Sequence, residues 1–128
     1  MHKTHNPPTA VAAFGKYAQA VETAKDLRWL YLAGQVGAHP DGTTAEDFEG
    51  QARAAFANIK ALLEAGDMGF EDVVKLTIFL TSIGDAPVYR QVREEFMGEI
   101  TVASTLILVA GLAKPEWRIE VEAVAAKA

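Results

Sequence analysis

The chain has 128 residues, half of them hydrophobic and 23% charged, with a net charge of −5. That composition suits one globular domain and excludes a disordered, collagen-like or disulfide-stapled chain. The lack of cysteine excludes a thiol nucleophile and a thiolate-held metal, and twelve Lys and Arg against seventeen Asp and Glu, with no basic run, argue against nucleic acid or an anionic membrane as partner.

The opening, Met1 to Pro8, has no apolar core of the kind a signal peptide needs. No apolar run approaches the roughly eighteen residues of a membrane span. The expected compartment is the cytoplasm. His2, His5 and His39 have no metal-ligand spacing, and no phosphate-binding or dinucleotide fingerprint occurs, so neither metal nor cofactor is expected.

The first predicted strands run from Gln19 to Ala24 and from Trp29 to Val36, joined by a short polar connection as in a hairpin. His39-Pro40-Asp41-Gly42 reads as a turn, with Pro presetting φ and Gly easing the exit. A helix follows from Thr44 to Ala65, its stripe made by Phe48, Ala52, Ala55, Phe56, Ile59, Leu62 and Leu63. Thr43 and Glu46 form a candidate capping box at its start, and Gly66 a left-handed stop.

Val73 to Thr81 alternates as a strand, with Val74, Leu76, Ile78 and Leu80 on one side. A shorter helix then starts at Asp85, a candidate cap, tolerates Pro87 in its first turn, and shows Val88, Val92 and Phe96 as its stripe before Gly98. Thr105 to Ala110 reads as a strand apolar on both sides. Trp117 to Ala125 alternates Ile119, Val121, Ala123 and Ala125 against Arg118, Glu120, Glu122 and Val124. Two helices can cover one face of such a sheet. The run Leu106-Ile107-Leu108-Val109 asks for burial on the other face too, and another subunit is the simplest cover.

Five segments in register now resemble one family. Gly15-Lys16-Tyr17-Ala18-Gln19-Ala20-Val21 is similar to its G-x-Y-x-Q-A-V opening, and Leu32-Ala33-Gly34-Gln35-Val36 to its S-G-Q segment. Gln51 through Asn58-Ile59 to Gly66 resembles its long helix, Asp72 to Leu80 the strand after it, and Ile119 to Ala125 its I-E-I-E-A-I-A close. The family is RidA, also called YjgF or L-PSP endoribonuclease-like. The resemblance implies an α+β, chorismate-mutase-like fold: a mixed sheet with two helices on one face. It further implies a homotrimer with sheets at its centre and small-molecule clefts between neighbouring subunits. The activity implied is cofactor-free hydrolysis of a reactive imine or enamine to a carbonyl compound and ammonia.

In the family an arginine in an A-R-S motif clamps the substrate carboxylate, a task suited to a planar guanidinium. The matching segment here is Ala103-Ser104-Thr105, so Ser104 stands in the arginine's slot, and Ala33 takes the serine position of S-G-Q. Tyr17 and Glu120 match the family pattern. Glu120 is the expected water-positioning carboxylate, and Tyr17, Arg90, Ser104, Thr105 and Ala33 are expected to line the ligand cleft. Arg90 stands where the family often has asparagine. It is read either as a relocated cation or as a surface partner of Glu94 one turn on. Glu122 reads as a solvated carboxylate on the same strand.

Two functions remain open at this point. One is an imine or enamine deaminase of altered specificity, because Ser104 replaces the clamp. The other is a non-catalytic small-molecule-binding or regulatory trimer of the same family. A third, ribonuclease or translation inhibitor, is disfavoured by a pI near 5.1 and the absence of a basic stripe.

Overall fold

A computed structural model describes residues 2–128. In chain order it holds β1 (Lys3–His5), β2 (Ala20–Glu22), β3 (Arg28–Val36), α1 (Phe48–Ala65), β4 (Val73–Leu80), α2 (Ala86–Met97), β5 (Ala103–Leu108) and β6 (Ile119–Lys127). Four strands make the main sheet in the order β3-β6-β4-β5. Only β4 and β5 pair in parallel, with α2 as the crossover between them. The result is the expected α+β layout, a mixed sheet with both helices packed on one face.

Strand alternation builds the core. Ile119, Val121 and Ala123 of β6 sit opposite Leu80, Ile78 and Leu76 of β4, and all six are buried beneath the helices. From α1 come Phe48, Ala52, Ala55, Phe56, Ile59 and Leu63, and from α2 come Tyr89, Val92 and Met97. Phe56 is the aromatic hub, with ring centroids 6.4 Å from Phe70, 6.1 Å from Tyr89 and 5.6 Å from Phe96. Leu62, assigned to the stripe from sequence, stands exposed at the helix margin. In β4 a register shift between Val73 and Lys75 buries Val73 in the place expected for Val74.

Several local expectations are corrected. The helix starts at Phe48, not Thr44, and its cap is Asp47, whose Oδ1 accepts from the Gly50 N–H at 2.8 Å. Thr43 is held in the preceding turn instead, its N–H and hydroxyl both donating to Asp41 Oδ1. Two oxygens compete for the same local donors, and the Asp41 turn takes Thr43 out of reach of the helix. Gly66 does end α1, but with φ of −91° rather than a left-handed turn. A Cβ there would lie 2.8 Å from Leu30 Cδ2, so close approach to β3 is what requires glycine. Asp85 does not cap α2, because its Oδ1 accepts from Arg118 Nη2 at 2.7 Å.

The predicted hairpin is not formed. β2 pairs with β1, and β3 pairs along its length with β6. A long alternating partner far along the chain outcompetes the near one, because it buries Leu32 against Ala123 and Leu30 beside Ala125.

The sheet face away from the helices carries Trp29, Tyr31, Thr77, Phe79, Thr105, Ile107 and Val124. Trp29 and Tyr31 stack at 6.4 Å, and Tyr31 is 74% exposed. On β5, the edge strand, Ile107 and Leu108 are exposed within one protomer, whereas Leu106 packs against the core.

Candidate active site

A cavity of about 260 Å³ opens between the segment before β2, helix α2 and edge strand β5. Its polar lining is Lys16, Tyr17, Tyr89, Arg90, Arg93 and Ser104, with Glu94 at the margin and Phe14 and Leu106 as apolar walls. Backbone pairing fixes the near wall. The Ala18 N–H donates to the Val102 carbonyl at 2.9 Å, and Ala18 bridges to Ala103 in parallel, which lays Gly15 to Tyr17 beside the start of β5. The Tyr17 hydroxyl accepts from the Phe14 N–H at 3.2 Å and so holds the turn closed.

Strand parity decides which residues reach this cavity. Ser104 sits beside Leu76 in the β4–β5 register, on the helix side of the sheet. It lines the cavity beside the buried Tyr89 phenol. Burial pushes that phenol up to about 12, while Arg93, Ser104 and Arg90 pull the other way. Arg90 comes from α2, one residue after Tyr89, and is exposed at the mouth of the cavity. Among the described residues it makes no ion pair with Glu94. That carboxylate is taken by Lys16, at 3.2 Å, which also reaches Glu99 at 3.0 Å. Glu99 and Glu94 together hold the Lys16 ammonium above its ordinary range.

Tyr17, Arg90 and Ser104 are therefore brought together in one protomer. The other three expected residues are not. Thr105 points to the opposite sheet face, where its hydroxyl receives Lys75 Nζ at 2.6 Å. Glu120 is on that face as well, next to Phe79 across β4, and its side chain lies over Gly34. Ala33 is exposed at the bulge of β3, where the pairing with β6 shifts between Leu32 and Gln35. Gly34 has a steric reason to be glycine: a Cβ there would run into the Glu120 carboxylate.

Sequence reasoning missed two residues, Tyr89 and Arg93. They lie one helical turn apart, beside the Val92 stripe, and are buried to 4% and 5% exposure. Their i, i+4 spacing next to an apolar stripe was the available signal. Charge obscured it, because an arginine is ordinarily assigned to the solvent side.

The arrangement can hold a small anion by cations on α2 and a phenol from each wall. It has no gathered metal ligands among the described residues. Comparison with known proteins agrees with the sequence resemblance. The family model described as Endoribonuclease L-PSP matches residues 7–127. The chain belongs to this family.

Among its relatives, the 2-iminobutanoate/2-iminopropanoate deaminase of Salmonella typhimurium is 34% identical over 131 residues, covering 99% of both chains. Among solved structures, the Rid family protein YyfB of Yersinia pestis, described as of unknown function, superposes with a TM-score of 0.85 at 28% identity, covering 98% of each chain. TdcF of E. coli, solved with bound serine, gives a TM-score of 0.75 at 27% identity and covers 98% of this chain and 99% of its own. This RidA-family chain thus shares nearly its whole length with a relative named as an imine deaminase and with a structure solved with bound serine.

Proposed function

We propose that this RidA-family chain is a cofactor-free hydrolase of small imines or enamines, working as a homotrimer whose cavities lie where neighbouring copies meet. The observation that carries the reading is the cavity itself, which gathers Tyr17, Arg90 and Ser104 on a scaffold shared with deaminases.

The chemistry needs little from the protein. A C=N carbon is attacked by water, an N–H bond forms as the carbinolamine develops, and the C–N bond then breaks to leave a C=O group and ammonia. Atoms balance as imine plus water to carbonyl compound plus ammonia. An enamine first takes a proton on carbon to become the imine. A carboxylate beside the attacking water removes its proton and returns it to the departing nitrogen. Glu120 is the residue proposed for that task. Within one protomer it opens on the sheet face opposite the cavity, so it would serve the cavity of an adjoining copy packed against that face. Tyr17 would donate a hydrogen bond to the ligand from the cavity wall. Ser104, a neutral hydroxyl in the slot where the family resemblance sets an arginine, would shift the preferred substrate.

The separation of Glu120 from the cavity also favours a second reading. A trimer that binds a metabolite without turning it over requires the cavity but not the carboxylate. RNA is disfavoured as a substrate by the net charge of −5.

Ammonia release from 2-iminopropanoate and from a neutral imine separates these readings. The hydrolase predicts turnover of at least one of them, with a loss on the order of a hundredfold in Glu120→Ala and a smaller loss in Tyr17→Phe. Ser104→Arg should move the preference toward the carboxylate-bearing substrate. No turnover beyond the buffer rate, with a ligand still bound, supports the binding trimer; equal rates in the natural chain and both site variants overturn the assigned site.

A further inference from the structure

Arg93 is only 5% exposed. Among the described residues it makes no ion pair, and its one hydrogen bond runs from Nη2 to the Ile100 carbonyl at 2.8 Å. A guanidinium carries five N–H donors, so most of its donating capacity is unused. Those groups are not sealed in the core. The sole fully buried side-chain polar atom without a partner among the described residues is Asp85 Oδ2, whose carboxylate pairs with Arg118. Arg93 lines the cavity together with Tyr89, Arg90 and Ser104.

A buried cation without a counter-ion is costly, and proteins ordinarily pair it. Around it, Arg90 stands at the mouth as a second unpaired cation, while Lys16 is shared between Glu94 and Glu99. The cavity is thus cationic in a chain whose net charge is −5. A local field opposite to the global charge selects for an anion at that point.

We infer that Arg93 is the anion anchor of this cavity, taking from helix α2 the carboxylate-binding task that the family gives to a strand arginine, with Tyr89 and Ser104 beside it. This rests on the cavity being the ligand site, as proposed above, but not on any turnover there. It narrows that proposal: the neutral Ser104 does not make the site one for neutral imines, because a guanidinium one strand-to-helix step away supplies the charge. The volume of about 260 Å³ suits a ligand of a few heavy atoms rather than a nucleotide. Planar, bidentate donation suits a carboxylate.

The test is equilibrium binding to the natural chain by calorimetry, with pyruvate as the carboxylate probe and pyruvamide as its uncharged counterpart. Pyruvate should bind at least roughly tenfold more tightly, since the amide leaves the charged site unpaired. Arg93→Gln should weaken pyruvate on the order of a hundredfold, while Arg93→Lys, which keeps charge but loses the fork, should recover part of the affinity. Should Arg93→Gln fail to fold, Ser104→Asp decides: a carboxylate placed beside Arg93 should abolish pyruvate binding. Equal binding of acid and amide, unchanged pyruvate affinity in Arg93→Gln or Ser104→Asp, or no pyruvate binding to the natural chain overturns the inference. Pyruvate binding that depends on Arg93, in a protein that releases no ammonia from any imine, upholds the anchor and removes only the hydrolase reading.

Discussion

Gln51 shows how much one buried polar side chain can organise. Its Nε2 donates to the Ala45 carbonyl at 3.2 Å and to the Glu116 carbonyl at 2.9 Å, and its Oε1 accepts from the Arg118 N–H at 2.9 Å. It therefore ties the start of α1 to the approach to β6, and Gly37 leaves room for it, because a Cβ there would strike the Gln51 side chain. Gln51→Leu leaves backbone groups unpaired in the interior and should cost about 2–4 kcal/mol in chemical denaturation. Tyr89 gives a pH signature. Its folded-state pKa is raised from 10.0 to about 12, so the fold retains the phenol proton that the unfolded chain releases. Stability from this group is complete below pH 10 and is lost as pH climbs toward about 12, amounting to about 2–3 kcal/mol. Urea titrations at stepped alkaline pH should show a steeper decline for the natural chain than for Tyr89→Phe. Equal slopes would place the titration elsewhere.

At the scale of elements, the start of α1 allows a direct comparison. Asp47→Ala should lower stability by about 1 kcal/mol, the usual worth of a cap. Thr43→Ala should cost less, since its bonds lie in the turn with Asp41. Thermal melts of the two variants read the difference, and a larger loss in Thr43→Ala would restore the cap assigned from sequence. That misassignment is instructive. Thr43 and Glu46 have the capping-box spacing, but so short a pattern does not say which of several oxygens the turn will claim. The long alternating strands and both helices were legible because burial of one face repeats over many residues. The false hairpin arose where the signal is shortest, in Gln19 to Ala24, and where the true partner of β3 lies far along the chain. The site divides in the same way. Tyr17, Arg90 and Ser104, named from the sequence, line one cavity, whereas Thr105 and Ser104 are separated by strand parity alone. Arg93 stayed hidden because its charge masked the i, i+4 spacing with Tyr89 beside the apolar stripe of α2.

At the scale of the molecule, the sheet face opposite the helices holds a mixture that suits a second copy better than water: stacked Trp29 and Tyr31, the partly buried Phe79 and the exposed Ile107. If copies of the chain cover one another there, sedimentation should report three protomers per particle, and Ile107→Lys should shift the distribution toward single protomers. An unchanged distribution would remove β5 from the contact.

In the proposed hydrolase a cavity on one protomer works with the Glu120 of another. Subunit mixing tests it most directly. Tyr17→Ala and Glu120→Ala each damage one half of a site, and co-refolding equal amounts lets intact halves meet at some interfaces. Ammonia release from the mixture should return to roughly a quarter of the natural rate, the share of interfaces pairing two intact halves after random assembly, while each variant alone stays near the buffer rate. A mixture as inactive as its parents would contradict the account.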